Sequence, residues 1–289
     1  MKITPTVLGR KETNAYSDKL NSNRKNLPSE KFKKKLSIAI LLSIVILSVG
    51  YFLEFNPIFF FTDGHYFIEL LAEMFPPNFA IIWEKKSIGT SILETIAMAF
   101  LGTLLGGSIA LFLSFFAASN TSPHPIVRQS IRALFSLERA IPSLVIILIY
   151  LIAVGLGPFA GFLALATSTV GMFGKLFADS IEEVNKEPIN ALYAIGGKKL
   201  QVIRFGIIPQ VLPSFIANLF YAFDVNLRAA IGLGIFGGGG IGFEIHMAMK
   251  MLQYKNALGL IFITIILITS LEKLSDYFRN KLIKGDMLE

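Results

Sequence analysis

Cysteine is absent from the 289 residues, which leaves no disulfide framework, no thiolate metal site and no cysteine nucleophile. Charge is scarce as well: 16% of the residues are charged against 53% hydrophobic, and the mean hydropathy is +0.62. A chain this apolar is a membrane protein, not a soluble domain. Histidine is nearly missing, and His246 has no second His or Cys at ligand spacing, so no metal site is expected. Four consecutive glycines, Gly237 to Gly240, lack the preceding strand and following Lys-Ser/Thr of a phosphate-cradling loop, which argues against nucleotide binding. The net charge of +7 invites a nucleic-acid reading, but 10 of the 27 Lys and Arg precede Leu36 and flank the first apolar run. That position makes the charge a topology signal, with no nucleic-acid partner.

What the chain does have is a series of long uncharged runs. Residues 1–35 carry Arg24, Lys25, Lys31, Lys33, Lys34 and Lys35 among few apolar residues and are expected to form a flexible basic tail. Leu36 to Leu53 is an 18-residue run without a charge, near the roughly 20 residues that cross a bilayer as a helix. A cleaved signal peptide is the competing reading, but the basic region is too long and no A-x-A site follows. Residues 54–89, with Phe59, Phe60, Phe61, Trp83 and Pro76-Pro77, suit an external segment with an interfacial helix and an aromatic anchor. Thr95 to Ala118 is charge-free and holds Gly102-x-x-x-Gly106, which reads as close helix approach or, in so glycine-rich a run, as ordinary core packing. Ala140 to Gly174 contains 35 uncharged residues, nearly two spans, broken only at Gly155-Leu-Gly-Pro158, where a tight hairpin is expected.

These runs predict an all-α membrane protein with spans at 36–53, 91–118, 134–155, 158–181, 205–235 and 256–272. Starting inside, six spans place both termini and the loops at 119–133 and 182–204 in the cytoplasm. Twenty Lys and Arg then lie inside, against Lys85, Lys86, Lys250 and Lys255 outside, as the positive-inside rule expects.

One polar stretch stands out, Asn190 to Pro213. It reads as a short helix from Ala191 ended at Gly196-Gly197, a basic amphipathic turn with Lys198, Lys199 and Arg204, and a re-entering helix punctuated by Pro209 and Pro213. An ordinary loop between membrane helices is the plainer reading. The spacing, however, resembles the cytoplasmic coupling loop of bacterial ABC importer permeases. Further stretches extend the likeness: Arg139-Ala-Ile-Pro142-Ser-Leu-Val, Gly155-Leu-Gly-Pro-Phe-Ala-Gly161, Gly174-Lys-Leu-Phe-Ala-Asp179-Ser-Ile-Glu182, Gly206-Ile-Ile-Pro209-Gln-Val-Leu-Pro213, and Asn226-Leu-Arg228-Ala-Ala followed by Gly239-Gly-Ile-Gly242. Together they resemble the permease subunits of phosphonate ABC importers, the PhnE type.

That resemblance implies the type I importer permease fold and a homodimeric channel in the bacterial cytoplasmic membrane. It also implies ABC ATPase subunits that bind ATP and Mg in place of any cofactor in this chain, and an extracytoplasmic phosphonate-type binding protein. The coupling residues it implies are Glu187, Asn190, Ala191, Gly196, Gly197, Lys198 and Pro209. Such loops usually carry Glu-Ala before the helix and Gly-Ala-Ser at its break; here the positions read Asn190-Ala191 and Gly196-Gly197-Lys198, with Glu187 as a substitute acid.

Ionisable groups inside spans are costly, about 2.5 to 3.5 kcal/mol each on insertion scales, so each is a functional candidate. Arg228 stands four residues after Asp224; it either pairs with that carboxylate or meets a passing oxyanion with its fork of donors. Asn226 points away from that pair and is expected to pack. Glu138 and Arg139 are adjacent, cannot simply pair, and read as interface or gating residues. Lys175 and Asp179 are expected to form a solvated pair, and Glu94 and His246 to be isolated. Competing functions are permeation of another small anion, an ion-coupled carrier, which needs inverted repeats not visible here, and a membrane enzyme, which lacks a nucleophile or carboxylate dyad.

Overall fold

A computed structural model of the chain describes residues 30–53 and 64–283. The expectations for the tail up to residue 29 and for Phe59 to Phe61 lie outside these residues. The described residues form helices joined by short turns, with no strand among them. The chain divides into two compact units, Met1–Ile68 and Glu69–Glu289.

In the first unit, α1 covers Glu30–Phe52, so the six residues before Leu36 belong to a helix and not to the expected tail. The sequence EKFKKK has no glycine or proline, and lysine is a good helix former. The described apolar side chains of α1 are exposed all round. Helix α2 (Gly64–Met74) runs across the boundary between the units.

The second unit continues with α3 (Ile81–Glu84), α4 (Ser87–Ala117), α5 (Pro125–Ala140), α6 (Ser143–Val154), α7 (Pro158–Glu182), α8 (Lys186–Ala194), α9 (Lys199–Val202), α10 (Ile208–Leu233), α11 (Gly240–Lys250) and α12 (Tyr254–Ile283). Widened π turns at Ile203–Ile207 and Gly234–Gly238 flank α10. Among the described residues five helices are long and apolar enough to cross a membrane, and the bent pair α5 and α6 makes a sixth if counted as one span.

That bend corrects the straight span expected at 134–155. Helix α5 starts well before residue 134, because His124 caps it by accepting the Ile126 amide at 3.2 Å and Pro125 fits the first turn. It stops at Ala140 because Pro142 excludes helical backbone at Ile141, which is extended at φ −91° and ψ 119°. The two helices meet at 90°. The pair still carries the chain from one end of the bundle to the other. At one end the 119–122 turn touches the base of the 182–204 loop: the Ser119 amide donates to Glu182 at 2.5 Å, and Lys199 donates to the Ser122 carbonyl at 2.9 Å. At the other end the 155–157 hairpin donates from the Gly157 amide to the Gly237 carbonyl. Since α7 spans the distance between these ends alone, α5 and α6 together cover the same height.

Helices α4 and α7 form the most extensive pairing in the unit. A Cβ on Gly106 would overlap the Ala166 carbonyl oxygen, and one on Gly102 would lie 2.8 Å from Leu165 Cβ. The Gly102-x-x-x-Gly106 pattern is therefore a close-approach face: with lipid as apolar as leucine, intimate backbone packing supplies what hydrophobicity cannot. Toward the loop end the core is aromatic, with Phe135, Phe173, Phe177 and Phe215 buried together. Toward the other end Met98, Ile146, Ile147, Leu165 and Leu233 take over.

The four-glycine run breaks the helix between α10 and α11, where Gly237, Gly239 and Gly240 all have positive φ. Helix α4 seals the break: Glu94 accepts the Gly240 amide at 3.2 Å, and the Thr95 hydroxyl oxygen accepts the Ile241 amide at 2.8 Å. Glu94, expected to be isolated, is thus a cap for α11, satisfying donors that a helix start leaves open.

Candidate functional site

The 182–204 stretch folds as a helix locked at both ends. Asn185 caps α8 by accepting the Glu187 amide at 3.0 Å. At the other end Gly196 takes φ +85°, its amide donates to Tyr193, and the Gly197 amide donates to Leu192 at 2.9 Å. This double bond is the Schellman termination that only a residue tolerant of left-handed backbone supports. Gly197 is needed for another reason: a Cβ there would lie 2.7 Å from the Leu192 carbonyl oxygen. The Lys198 amide then donates to Gln201 Oε1 at 2.7 Å and starts α9.

Ile189 and Leu192 turn inward, Ile189 onto the aromatic core and Leu192 against Gly206. Glu187, Asn190, Ala191 and Ala194 consequently share the opposite, exposed face, at the spacing that puts residues on one side of a helix. Next to this face Ile195 is 82% exposed and Leu200 is 80% exposed, with Tyr193 also exposed. The structure thus brings the seven loop residues singled out in the sequence to one end of the bundle, with Pro209 in the first turn of α10 directly after the π turn. Asn190, Tyr193 and Lys186 also line a pocket of about 290 Å3 with Ser119 and Asn120.

Residues that sequence reasoning missed hold this loop in place. Gln210 Oε1 accepts the Asn185 amide at 3.0 Å, and its Nε2 donates to the Gly206 carbonyl at 2.6 Å, closing the return of the loop onto α10. Arg132 ties the base together: Nε donates to the Ala117 carbonyl at 2.8 Å, and Nη2 lies 2.9 Å from Glu182 and 3.3 Å from Asp179. Asp179 therefore pairs with Arg132 and not with Lys175 as expected, because α5 packs against α7 and delivers a bidentate-capable guanidinium there. The bond from the Asn185 amide to the Gln210 side chain joins residues 25 apart in the chain and had no local signal.

The intramembrane polar groups fall into three places. Asn226 is buried, and its Nδ2 donates to Thr103 of α4 and Thr169 of α7, both at 2.8 Å. Both threonine hydroxyls donate to their own i−4 carbonyls, so their oxygens are free to accept. Arg228 pairs with Glu272 of α12 and not with Asp224. Asp224 is 8% exposed and packs beside Ser275 of α12, with Glu272 and Asp276 nearby. The i,i+4 spacing allowed the local pair, but α12 presents a carboxylate within reach of the longer side chain. Glu138 is half-buried against Gly171, whose missing Cβ makes room for it, while Arg139 is exposed.

Comparison with known proteins bears directly on this locked loop at one end of a bundle of long apolar helices. Residues 110–284 match the family model described as binding-protein-dependent transport system inner membrane component. The chain belongs to this family. This inner-membrane component is 36% identical over 231 residues to the phosphate-import permease protein PhnE of Mycolicibacterium smegmatis, covering 80% of the chain and 43% of that relative. It thus spans less than half the length of the mycobacterial relative. It is 32% identical over 243 residues to the phosphite transport system permease protein PtxC of Stutzerimonas stutzeri, covering 84% of the chain and 87% of the relative. Its fold is that of the ABC importer permeases: it matches a bacterial alginate ABC importer with a TM-score of 0.60 at 13% identity, over 87% of this chain and 99% of the other. The MetNI methionine ABC transporter matches with a TM-score of 0.58 at 19% identity, over 66% and 94%. As a permease component the chain is a multi-pass membrane protein and not itself an enzyme.

Proposed function

We propose that the chain is the membrane-spanning permease of an ABC importer that carries phosphonate or a related phosphorus oxyanion across the cytoplasmic membrane. In this reading two copies form the passage, both termini are cytoplasmic, and an extracytoplasmic phosphonate-type binding protein delivers the anion. ATP and Mg belong to separate ATPase subunits, which dock on the loop from Glu187 to Arg204. The observation that carries the substrate class is the likeness to the phosphite permease along most of both chains.

The loop geometry supports the coupling role. Ile195, Leu200 and Tyr193 form an exposed apolar patch beside the Glu187, Asn190, Ala191 and Ala194 face, a surface suited to a partner's groove. Force applied there has a rigid path. The Schellman end and the Gln210 clamp fix α8 to α10, and α10 is tied through Asn226 to α4 and α7 and through Arg228 to α12. Closure of the ATPase pair would thus tilt several helices together, the reciprocal coupling that alternating access requires.

The test is uptake by proteoliposomes holding the permease with its ATPase, given its extracytoplasmic binding protein and labelled phosphonate, phosphite or phosphate. ATP-dependent accumulation of one of these anions is expected. Accumulation of none of them, with an unrelated solute carried instead, would overturn the substrate class.

A further inference from the structure

Arg228 lies on the exposed side of α10, two residues beyond Asn226, at the mid-height of the bundle that the Asn226 bonds to Thr103 and Thr169 mark. At 1.5 Å per residue it lies about 30 Å along α10 from Ile208, and Glu272 lies about 27 Å along α12 from Tyr254, so the ion pair is remote from both helix starts. Nor is Arg228 alone on its face. Gln210, Ser214, Asn218 and Tyr221 recur at three- and four-residue intervals and Arg228 follows seven residues later, all within about 80° of one another around the helix. Gln210, Ser214, Tyr221 and Arg228 are exposed and Asn218 is partly so. Hydrocarbon cannot solvate such a stripe, so this face is turned toward water or another polar surface. It leads from the loop end of α10 to the guanidinium.

The charge around that guanidinium is arranged unusually for a contact with an anion. Glu272 takes a bond from Nη2 only, which leaves most of the five donors of Arg228 uncommitted, and the Arg228 side chain is 54% exposed against 28% for Glu272. Asp224 lies buried close by, and Asp276, next along α12, is bound to Arg279 at 2.5 Å. The neighbourhood thus holds no surplus of positive charge. Any anion reaching Arg228 competes with a carboxylate already there, and once it has displaced Glu272 it leaves that carboxylate facing Asp224 and Asp276.

We propose that Glu272 is a resident competitor for the oxyanion at Arg228: it occupies the guanidinium between transport events and keeps the site weak, so that the anion passes and does not stay. The inference rests on the oxyanion reading above. Its physical basis is that a permeation site must bind well enough to admit its ion and poorly enough to release it. A lone, desolvated arginine fork would hold a phosphorus oxyanion tightly through two parallel charge-assisted bonds. Glu272 is a positioning residue here, acting on the anion through Arg228.

The experiment uses the complete permease and ATPase complex, with labelled phosphite and phosphate as probes, in equilibrium dialysis of the solubilised complex and in proteoliposome uptake. Glu272→Gln is expected to bind the anion about tenfold more tightly than wild type and to turn over more slowly, since losing one competing ion pair of about 1.4 kcal/mol corresponds to a factor of ten. Arg228→Gln is expected to lose this binding, and the double variant to show none of the tightening. Tightening that persists without Arg228, or Glu272→Gln binding no more tightly than wild type, would overturn the proposal. If Glu272→Gln does not assemble, Glu272→Asp decides: the shortened side chain should tighten binding partway, and an unchanged affinity counts against the competitor role. Wild-type complex that carries no phosphorus oxyanion at all would instead sink the substrate reading, which separates the two failures.

Discussion

Asn226 shows how much one side chain can carry inside a membrane. Its amide joins three helices through two 2.8 Å bonds, in a setting where the hydrophobic effect gives no preference between helix and lipid. Interhelical hydrogen bonds in membranes average about 0.6 kcal/mol and reach about 1.7. Asn226→Leu should therefore lower stability by about 1 to 3 kcal/mol, read as an earlier unfolding midpoint in a denaturing-detergent titration. A double Thr103→Val and Thr169→Val variant should reproduce the loss, and an unchanged midpoint in both would remove the hub. Arg228 gives a second residue-scale prediction. Because its partner is Glu272, the folding defect of Arg228→Gln, which leaves a carboxylate unpaired in the bundle, should be relieved by adding Glu272→Gln and not by adding Asp224→Asn. The yield of folded protein in the membrane measures it; rescue by Asp224→Asn alone would restore the local pair.

At the scale of the element, the loop helix α8 depends on its two ends more than on its nine residues, which are too few to be stable alone. Gly196 at φ +85° is the position where a β-branched residue is most strained, by about 1 to 2 kcal/mol. Gly196→Val should leave the permease in the membrane while reducing the ATPase that copurifies with it, and Gly196→Asn, which tolerates left-handed backbone, should retain most of it. Full retention in Gly196→Val would mean that the Schellman end does not shape the docking surface. Gln210→Ala offers an independent check on the same element, since it frees the Asn185 amide and the Gly206 carbonyl together. It should lower the substrate carried per ATP hydrolysed more than it lowers the amount of assembled complex.

For the whole molecule, orientation is the property that everything else depends on. The absence of cysteine makes single-cysteine labelling clean. An impermeant thiol reagent added to intact cells should miss Lys199→Cys and Ile195→Cys and reach Lys255→Cys and Trp83→Cys, all of which are exposed positions. Labelling of Lys199→Cys from outside would invert the topology and end the docking assignment. The bent pair α5 and α6 matters here, because with its 90° elbow counted as one crossing the 119–122 turn and the 182–204 loop fall on the same side, where side chains of the loop bond to the backbone of the turn.

What the sequence determined by itself follows from local physics. Charge-free runs of membrane length, glycines that terminate helices and prolines that forbid them each act within a few residues, so the helical class, the hairpin at Gly155 to Pro158, the break at the four glycines and the helix-turn-helix of the loop were all legible. Even the elbow at Pro142 was written in a local signal, the bar on helical backbone before proline. Partner choice was not. Asp224 and Arg228, like Lys175 and Asp179, stand at an ideal i,i+4 spacing, yet Arg228 bonds to Glu272 and Asp179 to Arg132. A long side chain reaches across to whichever helix packs beside it, and which helix that is depends on contacts such as Gly106 on Ala166 that join residues far apart in the chain. Only the tertiary structure decided those pairs, because the energy of an ion pair depends on distance in space and is indifferent to distance along the sequence.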